Sequence, residues 1–120
     1  MSIDVRASLD ADVPSEQLFA VIRDLGTYPQ WLDIVHLAQG ADLADGLQSW
    51  NVELRAKIGP FARSKRLRMV RTTDESPNTV VFERRENDGK KHAPWVLRSV
   101  VTEANGTSTL DVHLHYGGSL

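Results

Sequence analysis

The chain has 120 residues, of which 41% are hydrophobic and 25% are charged, and its net charge at pH 7 is −2. This length and balance predict one domain over residues 1–120, and the slightly negative charge argues against nucleic acid or an anionic membrane as the main partner. Because the chain has no cysteine, disulfides, thiolate chemistry and cysteine-bound metals are excluded. The N-terminal residues lack the apolar core of a signal peptide, and no apolar run is long enough to span a membrane, so we expect a cytoplasmic protein.

The first predicted elements are a strand and a helix. Apolar and polar residues alternate from position 3 to position 9, which is typical of a strand with one buried face. Apolar residues then recur at helical spacing over residues 18–25. Pro14 suits the first turn of this helix and Gly26 suits its end.

A second short helix is predicted directly after the first. Residues 27–30 (TYPQ) have the spacing of a capping box, in which a threonine side chain and a glutamine side chain satisfy the free N–H groups of a helix start. We therefore expect Thr27 to begin this helix and residues 30–35 to be helical.

The rest of the chain predicts a run of antiparallel strands. The clearest has alternating apolar residues over positions 50–58, and Gly59-Pro60 ends it. Tight turns are predicted at Asp45-Gly46 and Asn105-Gly106, since these residue types tolerate the positive φ of a type I′ turn. The predicted strands in this part of the chain cover residues 36–43, 50–58, 61–73, 79–86, 93–104 and 107–116.

Two stretches in the helical region carry a family resemblance: residues 13–19 (VPSEQLF) and residues 24–31 (DLGTYPQW). Residues 59–61 (GPF), 82–84 (FER) and 95–97 (WVL) look like later blocks of the same family. The chain resembles the polyketide cyclase/dehydrase and lipid-transport branch of the START/Bet v 1-like (SRPBCC) superfamily. The resemblance covers essentially the whole chain and implies an α+β helix-grip fold, with two short helices after strand 1 of a bent antiparallel sheet of six to seven strands.

The resemblance also implies a covering element. In this family a long C-terminal helix normally lies across the concave face of the sheet and closes the pocket. The sequence stops where that helix would begin, so we expect a shortened chain that lacks the C-terminal helix; the alternative is a pocket closed by another subunit. If the chain ends at Leu120, the apolar face of the sheet predicts a homodimer.

A cavity is predicted between the sheet and the helices. Alternation places Arg71 on the same side of its strand as Leu67 and Met69, and in the similar aromatase/cyclases an arginine late in the corresponding strand faces the pocket. The alternative is that Arg71 reaches water or pairs with Asp74 or Glu75. For each aromatic candidate taken alone, the alternative is that the side chain is an ordinary part of the hydrophobic core and does not contact a ligand. The predicted pocket residues are Tyr28, Trp31, Trp50, Leu54, Met69, Arg71, Phe82 and Trp95.

A second group of polar residues lies on the last predicted strand. Asp111, His113 and His115 share one face, at a spacing that suits a metal or acid–base site. Because their sequence neighbours are apolar, we expect the trio to lie on the outer, solvated face, and we predict no metal and no cofactor. The basic residues within 63–71 are likewise expected to form a solvated face with acidic cross-strand partners.

The predicted function is binding or transport of a hydrophobic or lipid-like small molecule in the cavity, without a nucleic-acid partner or an integral membrane segment. One alternative is an aromatase/cyclase- or dehydratase-type enzyme acting on a polyketide-like substrate. The other is a protein-interaction module that uses the helical corner or the open sheet. Catalysis is the less favoured of the first two, because the sequence shows no nucleophile–base pair, phosphate-binding loop or cofactor motif.

Overall fold

The structure is a computed structural model and describes residues 2–58 and 61–117. The predicted Gly59-Pro60 break and the chain end at Leu120 lie outside the described residues. The elements in chain order are β1 (Ile3–Ala11), α1 (Ser15–Ile22), a 3₁₀ helix (Leu25–Gln30), β2 (Val35–Ala44), β3 (Leu47–Ile58), β4 (Phe61–Glu75), β5 (Thr79–Arg84), β6 (Trp95–Ala104) and β7 (Thr107–Tyr116).

All seven strands form one antiparallel sheet in the order β1-β7-β6-β5-β4-β3-β2. From β2 to β7 each strand pairs with the next one along the chain, and β1 pairs with β7. Register shifts interrupt β2 twice and the β4–β5 pair once. Such irregularities increase the local bend and twist of a sheet. The predicted bent antiparallel sheet, with short helices after the first strand, is confirmed.

Two of the strand connections are tight turns at the predicted positions. Asp45 and Asn105 have φ values of 52° and 55°, and the glycine after each has a φ of 80°. Positive φ at both central residues is the type I′ geometry, whose twist matches that of the flanking strands. These turns fix the register of the β2–β3 and β6–β7 hairpins.

The helical layer packs on one face of the sheet and forms the core with it. Phe19 and Ile22 of α1 and Leu25 and Tyr28 of the 3₁₀ helix are each at most 2% exposed. Their partners in the sheet are buried apolar residues from β3 to β7: Trp50, Met69, Val80, Phe82, Leu97, Val101, Leu110 and Leu114. Within the described residues, no helix is long and apolar enough to cross a membrane.

The first helix is shifted from its predicted position. The prediction placed it at residues 18–25, whereas α1 spans Ser15–Ile22 with Pro14 as its N-cap. It ends early because Asp24 adopts an extended conformation and its carboxylate accepts a hydrogen bond from the Gly26 N–H, 2.9 Å away. A Cβ at position 26 would lie 3.1 Å from that carboxylate oxygen, so Gly26 permits this close cap rather than ending the helix.

The prediction of a second helix over residues 30–35 is wrong. The second helix is the 3₁₀ helix Leu25–Gln30, and Asp24 rather than Thr27 is its N-cap. The Thr27 hydroxyl donates backwards to the carbonyls of Val21 and Asp24, instead of capping a helix ahead of it. Val35 already belongs to β2, where it pairs with Leu54 of β3. This strand pairing prevents the helix from extending to residue 35, as the capping-box pattern had predicted.

Candidate ligand-binding cleft

A cleft opens beside the segment that joins the 3₁₀ helix to β2. Its larger part has a volume of about 760 Å³ and its smaller part about 300 Å³. Ile34 and Ala56 line both parts, so the two are adjacent. Apolar residues from β1, β3, β6, β7 and the segment after the 3₁₀ helix make up most of the walls: Ile3, Val5, Ala7, Trp31, Leu32, Leu54, Trp95 and Tyr116. We call the two parts together the tryptophan cleft, after Trp31 in one part and Trp95 in the other.

The two tryptophans are held by neighbouring aromatic rings. Trp31 directly follows the 3₁₀ helix as its C-cap, and its ring centroid lies 4.4 Å from that of Tyr28. Trp95 begins β6, and its ring centroid lies 4.6 Å from that of Tyr116, its partner on β7. Both rings are therefore positioned by regular elements rather than by loops.

Both indole N–H groups are buried without a hydrogen-bond partner among the described residues. Leaving a buried donor unsatisfied costs about 1–3 kcal/mol, and native structures contain few such groups. Because both nitrogen atoms are buried beneath the cleft surface, the exposed parts of the two rings, rather than their N–H groups, line the cleft.

The smaller part of the cleft has a cationic rim. Arg63 and Lys65 line it, opposite Ala56 and Leu54 in the β3–β4 register. Both cations lie at even spacing from the buried Leu67, so alternation turns them toward the same side of β4. Neither forms an ion pair with any residue that the structure describes. The smaller part of the cleft therefore ends at two exposed positive charges that no described residue pairs, whereas Asp33 and Arg55 line the larger part.

Arg71 lies in a different cleft, of about 630 Å³, beside the end of α1. Its side chain is 19% exposed, and its Nη1 donates to the Arg23 carbonyl at the C-cap of α1, 2.7 Å away. Its guanidinium lies 5.7 Å from the centroid of the Trp50 ring, and its Nε is 3.6 Å from Asp74 Oδ2. Arg71 thus faces the helical side of the sheet, and it also makes the contact with Asp74 that the alternative interpretation expected.

No protein-family model matches the sequence, and no curated protein matches it significantly. Solved structures do match. A protein of Thermus thermophilus has a TM-score of 0.71 at 16% identity, with 98% of this chain and 76% of that chain covered. A START superfamily protein from Mycobacterium smegmatis has a TM-score of 0.65 at 18% identity (98% and 78% covered), and an aromatase/cyclase from Streptomyces sp. R1128 has 0.62 at 10% identity (97% and 68% covered).

The chain has the helix-grip fold of the START/Bet v 1-like proteins. The fold implied by the sequence resemblance is therefore confirmed. Sequence identities of 10–18% to these structures support a shared fold and not a shared function. In a helix-grip fold the space between helices and sheet is divided between packed core and open cleft, and the predicted pocket residues fall into three groups.

Three of the predicted residues, Trp31, Leu54 and Trp95, line the tryptophan cleft. Trp50 and Arg71 line the cleft at the end of α1. Tyr28, Met69 and Phe82 are 0% exposed and so touch no water-sized space. Sequence reasoning could not separate these groups, because alternation gives the side of a strand but not the depth below its surface.

The helix-grip core also fixes the state of Tyr28. Its hydroxyl donates to the Ile22 carbonyl and bonds the Ser99 hydroxyl, each 2.8 Å away. Burial raises the pKa of Tyr28 well above its ordinary value, although the Ser99 hydrogen bond opposes this shift. Tyr28 therefore remains a neutral phenol that joins α1 to β6.

Sequence reasoning missed the cationic rim of the cleft. Arg63 and Lys65 were grouped with Arg66 and Arg68 as one solvated basic face. The structure divides that run: Arg66 Nε lies 3.2 Å from Glu53 Oε1, and Arg68 Nε donates to the Arg85 carbonyl. Alternation from the buried Leu67 could have separated them. Arg63 and Lys65 lie at even spacing from Leu67 and so on its side of the strand, whereas Arg66 and Arg68 lie at odd spacing and so on the other side.

Asp74 provides a testable electrostatic link between α1 and β4. Arg23 Nη2 lies 2.6 Å from Asp74 Oδ2, and this hydrogen bond holds the pKa of Asp74 below its ordinary value of 3.8, with the charge of Arg71 adding to the effect. Since the folded pKa is depressed, the stabilisation is present above about pH 4 and is lost as pH falls through the folded value. Asp74→Asn should lower the free energy of unfolding at pH 7, and the difference from the unaltered protein should shrink toward pH 3.

Urea unfolding monitored by tryptophan fluorescence at several pH values measures this difference. Asp42→Asn is the control, because its exposed carboxylate makes no hydrogen bond or ion pair with the described residues. A difference for Asp74→Asn that stays constant from pH 7 to pH 3 would contradict the assigned role.

Proposed function

We propose that the protein binds a hydrophobic or lipid-like small molecule in the tryptophan cleft. The observation that carries this proposal is an open cleft whose walls are mostly apolar and include the rings of Trp31 and Trp95. The volumes of the two parts fall in the range of small-molecule sites, about 300–1,000 Å³. The helix-grip neighbours, which include a START superfamily protein, support the same class of function.

Binding here works by burial and orientation. Each methylene group that the ligand moves from water to the apolar walls contributes about 0.8 kcal/mol. The two cations of the rim, Arg63 and Lys65, orient the molecule, because an anionic group of the ligand is stabilised at that end of the cleft. Trp31, Leu54 and Trp95 form the contact surface, while Tyr28, Met69 and Phe82 support it from the core.

The cationic rim selects the head group. Arg63 and Lys65 stand where the smaller part of the cleft meets solvent, and neither is neutralised by a described residue. A ligand with an apolar body and one anionic group places that group between the two cations, where a charge-assisted hydrogen bond adds to the attraction. We therefore propose an amphipathic anion as the favoured ligand.

A second candidate function is an aromatase/cyclase-type reaction in the cleft at the end of α1. It is favoured by the position of Arg71, which lies against Trp50 and has no hydrogen bond from Nη2 to a described residue. A guanidinium in that position would polarise a substrate oxygen. Binding remains the first proposal, because an acid–base reaction needs a second inward-facing group.

Two dyes test the binding proposal and its charge selectivity together. The anionic dye 1-anilinonaphthalene-8-sulfonate and the neutral N-phenyl-1-naphthylamine share an aromatic body, and fluorescence titration gives a dissociation constant for each. Ala56→Phe fills the place where the two parts of the cleft meet, so it should weaken both dyes by about tenfold or more. Arg63→Ala/Lys65→Ala should weaken the anionic dye by about tenfold and leave the neutral one unchanged.

Arg66→Ala is the matched control, because this exposed arginine is one residue from Lys65 but pairs with Glu53. It should change the affinity of neither dye. Unchanged binding of both dyes by Ala56→Phe would refute the cleft as the site. An equal loss of affinity for the anionic dye in Arg66→Ala would refute the proposed head-group selection.

The homodimer, the single-domain organisation and the cytoplasmic location stay predictions.

A further inference from the structure

The outer face of the sheet carries a cluster of three possible metal ligands. His113 and His115 lie two residues apart on β7 and so project from the same face. Leu110, Val112 and Leu114 are buried on the opposite face, as the alternation predicted. Asp4 of β1 is the cross-strand partner of His115. We call Asp4, His113 and His115 the His–Asp cluster.

The side chains of the His–Asp cluster converge on one point. His113 Nε2 lies 2.7 Å and His115 Nδ1 2.8 Å from the same oxygen, Asp4 Oδ1. The three candidate ligand atoms all lie within 4.8 Å of one another. Because a carboxylate only accepts hydrogen bonds, each imidazole directs a protonated nitrogen at Asp4, and these are the nitrogens that a metal ion would use.

The ligand set suits a divalent transition metal. Imidazole and carboxylate bind Zn²⁺ at about 2.0–2.2 Å, so tetrahedral ligand atoms stand about 3.3 Å apart. The atoms of the cluster would each have to shift by no more than about 1 Å to reach that spacing. An ion would replace the two protons that now hold the cluster together, and three protein ligands would leave one position open.

The surroundings determine what occupies the open position. Arg6 and Arg98 flank His113 in the register of the neighbouring strands, and Asp111 lies two residues earlier on β7. A cleft of about 410 Å³ lies next to His113 and is lined by these charged residues and Ser8. The two arginines oppose a bare dication but attract an anion, so the open position would take water or a small anionic ligand.

We propose that Asp4, His113 and His115 form a binding site for a divalent first-row transition metal ion such as Zn²⁺. The sequence-based expectation of no metal weighed Asp111 as the third ligand. The β1–β7 register supplies Asp4 instead, and it brings all three ligand atoms to one point. This site lies on the face of the sheet opposite the helices, so it does not depend on the tryptophan cleft.

Isothermal titration of the untagged protein with Zn²⁺ tests the proposal. We expect one ion per chain and a rise in melting temperature with added Zn²⁺, because an ion that binds only the folded state stabilises it. His113→Gln, His115→Gln and Asp4→Asn should each raise the dissociation constant by about tenfold or more. All three side chains are partly exposed, so these variants should keep the circular dichroism of the unaltered protein.

His92→Gln is the matched control, because His92 Nε2 lies 2.9 Å from Asp88 Oδ2 in a surface pair that has no second histidine. It should bind Zn²⁺ like the unaltered protein. The absence of stoichiometric binding would overturn the proposal. Equal binding by the double variant His113→Gln/His115→Gln would overturn it as well, since the ion would then be held elsewhere.

Discussion

Phe82→Ala should lower the free energy of unfolding by about 3–5 kcal/mol, the range for removing a buried phenylalanine side chain. Phe82 of β5 is 0% exposed and lies between the helical layer and the sheet. Its ring makes edge-to-face contacts with Tyr28 at 5.6 Å and with Trp50 at 5.3 Å. The cavity would therefore remove aromatic contacts on two sides as well as apolar burial.

Urea denaturation monitored by circular dichroism measures the loss. Phe82→Leu is the control, because it retains most of the apolar volume and should cost clearly less than alanine. A loss below about 1 kcal/mol for Phe82→Ala would mean that the ring does not join the two layers.

Tyr28→Phe should lower the free energy of unfolding by about 1–3 kcal/mol, because it leaves buried hydrogen-bonding groups without a partner. The phenol has one proton, which it donates to the Ile22 carbonyl near the end of α1, so the Ser99 hydroxyl donates to Tyr28. Removing the phenol oxygen leaves both of those groups buried and unpaired. Because burial keeps Tyr28 neutral, the loss should be the same at pH 6 and pH 9.

A double-mutant cycle with Ser99→Ala isolates this interaction. Groups in one hydrogen-bond network are non-additive, so the double variant should lose less stability than the sum of the two single variants. Strict additivity would show that Tyr28 and Ser99 act independently.

The strands were predictable because their signals are local. A few neighbouring residues are enough to predict the alternation of side chains and the turns at Asp45-Gly46 and Asn105-Gly106. The structure contains these strands and both turns. The second helix was not predictable in this way. Residues 27–30 fit a capping box, but the Asp24 cap and the pairing of Val35 with Leu54 decide the outcome, and the latter is a contact distant in sequence.

The candidate sites likewise combine features that neighbouring residues predict with features that depend on contacts distant in sequence. Trp31 and Trp95 belong to the motifs that suggested the family, and both line the tryptophan cleft. Their unpartnered N–H groups depend on packing that no sequence pattern records. Asp4 joins the two histidines only through the β1–β7 register, which brings together residues more than one hundred positions apart.

That same pairing of β1 with β7 sets the order in which the sheet is completed during synthesis. Strands β2 to β7 each have a partner that leaves the ribosome next to them, so the sheet order allows their hairpins to pair as the chain emerges. Ala11 must wait for Ser108, and Ile3 for Tyr116. At about 5–20 residues per second, β1 spends on the order of 5–20 s without its partner. β1 is thus the last strand of this sheet to be paired, and until then its unpaired edge is open to mispairing.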